Sequence, residues 1–423
     1  MAGPIRESLF PDTAVLGESD ISVGGMSLRE LAQTYGTPLF VYDESHLRSR
    51  ARSAADVFDD GVAFASKSFL SVAMARLAWE EGLCIDVSTQ GELDLVLRAG
   101  VPASRIVMHG NNKSRSEISR ALEVGVRYLV VDSFDEIARL GELASAQRPA
   151  RCMIRVTPGV DAHTHEFIRT GHEDTKFGFS LSSGDAQRGI DALKACEHVE
   201  VVGIHAHIGS QIFSLDSYRE TVAILAPLIR DNGVSEVCIG GGLGVAYVEG
   251  EDAPSIREWG EAVREAFASV GLSHVAITAE PGRSIVAQAG VTIYEVGTRK
   301  VAGGRSYLAV DGGMSDNPRP VLYGSGYEAV LLRRPRAQRD DVFKIVGKHC
   351  ESGDLLIDRA WLPGDVGPGD LVVTPVTGAY GYSMASNYNR VTRPAVVFVA
   401  DGAHRLVLRR ETLDDLVRLE VDL

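Results

Sequence analysis

The stretch GVAFASKSFLSVAMARLAWEEGLCIDVST, residues 61–89, holds a short apolar run, a segment of helical periodicity and a second apolar run. The first run, GVAFASK (61–67), closes on Lys67; the second, LCIDVST (83–89), carries Asp86. Further runs of the same kind follow at RIVMHG (105–110), RYLVVDS (127–133), CMIRVTPG (152–159), VVGIHAHIGS (201–210), EVCIGGG (236–242) and HVAITAEPG (274–282). Eight short apolar strands with helical segments between them predict an α/β fold, a parallel (β/α)8 barrel of the TIM type. In such a barrel reactive groups gather at the carboxyl ends of the strands. Here those ends carry Lys67, Asp86, His109, Asp132, Arg155, His207, Gly240 to Gly242 and Glu280.

Helix limits around these runs are well marked. Ser114 with Glu117, and Ser133 with Glu136, have capping-box spacing, and Gly82, Gly100 and Gly125 stand where helices should stop. Upstream, SLRELAQTYG (27–36) reads as a short helix, GTPLFVYD (36–43) as a strand and ESHLRSRARSAADVF (44–58) as a helix entering the barrel. The gap before the sixth run is long and contains DAHTHEFIRTGHEDTKFGFS (161–180), a length that points to a functional loop. After Arg283 the texture becomes one of alternating strands: VTIYEVG (291–297), SYLAVDGG (306–313), YEAVLLRR (327–334), VFKIVGK (342–348), DLVVTPV (370–376), AVVFVAD (395–401) and HRLVLRR (404–410). The expected organisation is a barrel over residues 37–285 and a mostly antiparallel β-rich domain from 1–36 and 286–423.

Composition narrows the function classes. A net charge of −14 argues against nucleic acid or an anionic membrane as partner, and 45% apolar residues suffice for two cores. The five cysteines (84, 152, 196, 238, 350) have no paired spacing, so neither a metal nor disulfides are expected. The N-terminus has no apolar core of the signal-peptide kind and no segment is apolar enough to span a bilayer, so a cytoplasmic location is expected.

Taken alone, Lys67 is a rim lysine, GGGLG (240–244) a tight turn and His207 a core histidine. Taken together at one barrel mouth they match the needs of pyridoxal phosphate. That cofactor requires a Schiff-base lysine, a backbone phosphate cradle and a partner for its pyridine nitrogen. Lys67 supplies the first; the glycine run and EPGR (280–283), after strands seven and eight, supply the second; Glu280 supplies the third.

The motifs FASKSF, DVSTQGEL, HGNNKS, VDSFDE, HIGSQI, GGGLGVAY, EPGR, DGGMSDNPRPVLY, CESGD and GAYGYSMASNYN, with RVTPGVDAHTHEFIRTGHEDTKFG, resemble the fold-type III pyridoxal-phosphate decarboxylases of the ornithine, arginine and diaminopimelate group, whose barrel is of the alanine racemase type. The resemblance is closest to the diaminopimelate branch and covers nearly the whole chain. It implies decarboxylation of meso-diaminopimelate to L-lysine, the last step of lysine biosynthesis, by a homodimer with shared active sites. By the same resemblance Lys67 is the Schiff-base residue, and Asp86 and Glu92 support it and the ring. His207 stacks on the cofactor, and Glu280 meets the pyridine nitrogen. Ser210, Gly240, Gly241, Gly242, Gly282 and Tyr380 lie about the phosphate. Arg283, Arg319 and Tyr323 bind substrate carboxylates, Glu351 takes the distal ammonium, and Cys350 of the partner subunit supplies a proton. FASKSF departs from the family, which more often has a tyrosine and an alanine–asparagine pair there, and this touches pocket shape alone. A racemase of the same architecture would carry an arginine where Glu280 stands. A decarboxylase of carboxynorspermidine or of a diamine precursor is the other alternative, against Arg319, Tyr323 and Glu351. The small pyridoxal-phosphate homeostasis proteins share the barrel but lack the β domain.

Overall fold

The computed structural model describes residues 3–160 and 176–421, so most of the long loop expected at 161–180 lies outside the described residues. The chain forms two compact units, one of residues 50–245 and 253–284, the other of residues 1–49, 246–252 and 285–423. Residues 37–49 and 246–252, read from sequence as barrel, group with the second unit.

The first unit is the barrel. Its strands are β1 (Ala63–Ala65), β2 (Cys84–Val87), β3 (Ile106–Met108), β4 (Tyr128–Val131), β5 (Ala150–Thr157), β6 (Val199–Ala206), β7 (Glu236–Cys238) and β8 (Ala276–Thr278). Each pairs in parallel with the next in chain order. Ala63 N donates to Ala279 O at 2.9 Å and Ala65 N to Pro281 O at 3.1 Å, so β1 meets the β8 segment and the ring closes. Nearly every strand residue is buried because a closed parallel sheet has core on both faces, which is why the strands read as unbroken apolar runs. Val107, Tyr128, Val130, Met153, Val202 and Cys238 form one buried cluster from five consecutive strands.

The helix limits follow the sequence with one instructive exception. Ser114 and Glu117 make the full capping box, and Gly125 ends that helix at φ 74°. Ser133 accepts from Glu136 N, but the Glu136 side chain does not return to it. Its carboxylate accepts instead from Asp132 N at 3.0 Å and pairs with Lys113 Nζ at 2.8 Å. Lys113 is fully buried and also donates to Gly110 O and Val130 O, both at 2.7 Å. Burial pushes the Glu136 carboxyl up, and Lys113 opposes that. Breaking a buried pair by removing one partner strands the other charge. Lys113→Met should therefore lower unfolding stability by about 3–5 kcal/mol in urea titration, with part recovered in Lys113→Met/Glu136→Gln. A shift below ~1 kcal/mol would remove the pair from the barrel's support.

In the second unit, strand Leu39–Asp43 lies between Gly290–Ala302 (antiparallel) and Ala395–Ala400 (parallel). That hydrogen bonding is what places residues 37–49 in this unit. Gly290–Ala302 runs on to pair with Leu371–Thr374 and Arg305–Val310, and Ala403–Leu408 closes the other edge. The sheet is mostly antiparallel, with a second parallel pairing between Arg305–Val310 and Asp341–Val346. Strand Leu355–Leu362 is absent from the sequence expectation. Its pairing with Asp341–Val346 slips twice, leaving Asp358 and Arg359 exposed side by side, and this breaks the period of two by which a strand is recognised.

Candidate active site

At the barrel's carboxyl end the polar side chains expected there converge. Lys67 sits in the 3-10 turn Ser66–Ser68 directly after β1, its side chain exposed and its neighbours Ser66, Ser68 and Phe69 buried. Asp86 on β2 is buried, and burial pushes its carboxyl up to about 6 against the pull of His109. His109, following β3, places Nε2 2.7 Å from Glu280 Oε1 and 3.8 Å from Asp86 Oδ1. His205 on β6 places Nε2 2.9 Å from Glu280 Oε2. Burial would raise the Glu280 carboxyl, but the two imidazoles outweigh it and hold the group well below the usual carboxylate range. Beyond them Arg155 pairs with Asp132 at 3.5 Å and stacks 4.2 Å from the Phe177 ring centre. Glu92, on the helix after β2, accepts from Ser88 N at 2.6 Å.

His207 is tied to the glycine run: Gly241 N donates to its Nδ1 at 3.1 Å. Burial, then the cationic Lys67 and Arg155, hold its pKa well below the ordinary value, so the ring is neutral with its proton on Nε2. The loops after β6, β7 and β8 meet backbone to backbone at Gly240 to Gly242. A Cβ on Gly241 would lie 2.3 Å from Glu280 O, and one on Gly242 2.2 Å from Gly209 O. The Gly242 and Gly282 amides donate no hydrogen bond among the described residues. The short helix Arg283–Val286 starts at the same place. This is the donor set an anion requires, so the residues present fit a phosphate group. Arg283 Nη2 reaches Ser210 Oγ at 2.9 Å.

The donor atoms of His109, His205 and Glu280 lie within 4.8 Å of one another, a metal-ligand type of cluster that the sequence did not signal. Their contacts are hydrogen-bond lengths, and a metal would have to displace the bridging protons.

The expected substrate residues Arg319, Tyr323, Cys350, Glu351 and Tyr380 fall in the second unit. Arg319 is buried and heads the short helix Arg319–Tyr323, which also carries the half-buried Tyr323. Its Nη1 donates to Tyr327 OH at 2.5 Å and its guanidinium lies 4.1 Å from the Tyr247 ring centre. Among the described residues no acidic side chain pairs with it. Cys350 and Glu351 are exposed on a braced loop. Asp354 accepts from Met314 N at 2.7 Å and His349 N at 2.8 Å, and Asn389 accepts from Cys350 N at 3.1 Å. Tyr380 has a left-handed backbone at φ 58°. Sequence reading assigned no role to His205, Tyr247 or Tyr327. His205 was open to detection, since it stands two residues before His207 in the same apolar run. Nothing local marks the two tyrosines.

Residues 44–287 match the pyridoxal-dependent decarboxylase family, pyridoxal binding domain. Diaminopimelate decarboxylase of Mycobacterium tuberculosis (strain ATCC 25618 / H37Rv) is 46% identical over 95% of each chain, and that of Bacillus subtilis (strain 168) 45% identical over 95% of each. The chain belongs to the diaminopimelate decarboxylase family. Diaminopimelate decarboxylase from M. jannaschii, solved with L-lysine, superposes with a TM-score of 0.89 at 30% identity, covering 97% of this chain and 98% of that one. As a diaminopimelate decarboxylase family member the chain is a pyridoxal-phosphate-dependent enzyme, and the fold expected from its apolar runs is that of its relatives.

Proposed function

We propose that this enzyme decarboxylates meso-diaminopimelate to L-lysine and carbon dioxide as a cytoplasmic homodimer, completing lysine biosynthesis. The observation that carries the substrate assignment is Arg319, a buried guanidinium with two aromatic neighbours and no acidic partner among the described residues. A buried cation costs free energy unless an anion meets it, and a guanidinium grips a carboxylate bidentately. A substrate that keeps one carboxylate after losing the other supplies that anion. The L-lysine bound to the M. jannaschii relative agrees with lysine as product.

The roles then divide by chemistry. Lys67 would hold pyridoxal phosphate covalently and Glu280 would face its pyridine nitrogen. His207 would lie on its face, with Asp86 and Glu92 in support. The glycine run Gly240, Gly241 and Gly242, through the Gly242 amide, and the Gly282 amide, with Ser210 and Tyr380, would take the phosphate. When bound, the cofactor draws off the electron pair left as the carbon–carboxylate bond breaks. Arg283, Arg319 and Tyr323 would hold the carboxylates and Glu351 the distal ammonium. Cys350 from the partner protomer would place a proton on the carbon that carbon dioxide has left. Its exposure in the single chain suits a thiol that acts in trans.

The test is purified protein with pyridoxal phosphate and meso-diaminopimelate, following carbon dioxide and lysine, with L-ornithine, L-lysine and L-arginine alongside. Lysine formed from diaminopimelate, with the other three inert, is expected. Carbon dioxide from any of the three at a comparable rate would overturn the substrate assignment.

A further inference from the structure

Glu280 stands at the end of β8 with both carboxylate oxygens taken by imidazoles from β3 and β6. An ionised carboxylate only accepts, so each Nε2 carries a proton. From there the two rings differ. His205 is 1% exposed, and its Nδ1 has no hydrogen-bond partner among the described residues. An imidazolium there would bury a second N–H with nothing to receive it, so His205 is the neutral Nε2–H tautomer. His109 has two acids at one nitrogen, Glu280 at 2.7 Å and Asp86 at 3.8 Å. Burial works against charge on this ring, but Asp86 and Glu280 outweigh burial and raise its pKa. The rings meet edge to face, centroids 4.9 Å apart, so neither can swing without moving the other.

We infer that His109 and His205 are positioning residues that fix Glu280 as an ionised, oriented acceptor for the pyridine nitrogen, His109 through its charge and His205 through a single neutral N–H. The inference rests on the cofactor reading above. A buried carboxylate left alone takes up a proton, and a protonated Glu280 would no longer favour a protonated ring nitrogen. The other charged or titratable groups facing this cluster are Asp86, Lys67, Arg155, His207 and Cys238. Of these only Cys238 also directs a donor at Glu280, and a thiol is a weak one beside an imidazole N–H.

Three variants separate the roles: His205→Gln, which keeps an N–H at the Nε2 position; His205→Leu, which removes it; and His109→Gln, which keeps a donor but loses the charge. The readouts are the dissociation constant for pyridoxal phosphate, followed by its visible absorbance, its dependence on pH, and the thermal midpoint. His205→Leu should weaken cofactor binding on the order of 10–100-fold, with His205→Gln close to wild type. A pKa raised by folding means the His109 cation is present below that pKa and lost as pH rises through it. Wild-type and His205→Gln affinity should therefore fall on the alkaline side, and His109→Gln should bind more weakly at pH 7 without that limb. Unchanged affinity in His205→Leu, or equal losses in His205→Gln and His205→Leu, would overturn the clamp. So would an alkaline limb persisting in His109→Gln. If His205→Leu does not fold, the two glutamine variants still decide. A wild-type protein that takes up no pyridoxal phosphate would sink the functional proposal itself. Uptake by wild type with indifferent variants would sink this inference alone.

Discussion

Lys67→Ala should lose turnover by on the order of 10³-fold or more while the protein folds as well as wild type. The two halves of that expectation come from different features. The lysine amine makes no hydrogen bond or ion pair among the described residues, and its side chain is exposed at the end of β1. Removing it therefore strands no partner and opens no cavity, and the thermal midpoint should move by no more than an exposed substitution moves it. The local turn is held by other residues, among them Ser68 Oγ, which donates to Ala65 O at 2.8 Å. In the role proposed for Lys67, turnover would depend on the amine as nucleophile, for which alanine offers no substitute. Visible absorbance of the covalently held cofactor should vanish in the same variant. Wild-type absorbance and rate in Lys67→Ala would refute the covalent role; a large drop in thermal midpoint would show a structural one.

Gly242→Ala should raise the dissociation constant for pyridoxal phosphate by roughly 100-fold, the scale of a misplacement near 1 Å at a binding group. Gly242 has φ 101°, where an L side chain is strained, and its added Cβ would lie 2.2 Å from Gly209 O. Both obstacles are backbone, so no rotamer relieves them and the loop after β7 must shift away from the loop after β6. The amides proposed to hold the phosphate shift with it. Gly250→Ala separates strain from displacement. Gly250 has φ 91° but nothing within 4 Å of the added carbon. It should cost about 1 kcal/mol of stability and leave cofactor binding unchanged. Equal cofactor affinity in Gly242→Ala and Gly250→Ala, measured by absorbance titration, would detach the glycine run from the phosphate.

Much of the barrel was legible because its strands are buried on both faces and so stand out as unbroken apolar runs between capped helices. The strand-end residues were legible for the same reason, since each run closes on its polar residue. Leu355–Leu362 was hidden by the Asp358–Arg359 irregularity, which destroys alternation. The second half of the Ser133 capping box failed because Lys113, distant in pattern but near in space, draws Glu136 away. The Arg319 cage was illegible on principle: Tyr247 and Tyr327 are brought to the guanidinium by tertiary folding, and no local spacing encodes that. The grouping of 37–49 with the later strands is of the same kind, a pairing decided by residues far along the chain.

That last pairing bears on how the protein comes to be made. Leu39–Asp43 is wholly buried as a central strand, yet its two neighbours begin at Gly290 and Ala395. During synthesis at ~5–20 residues per second, the apolar ribbon LFVYD leaves the ribosome on the order of tens of seconds before its second neighbour exists. The barrel segments 50–245 and 253–284 emerge in that interval with their own partners close at hand. An early, unsatisfied strand awaiting late ones is a template for wrong intermolecular pairing. C-terminal truncations short of Ala395 should therefore be recovered as aggregates.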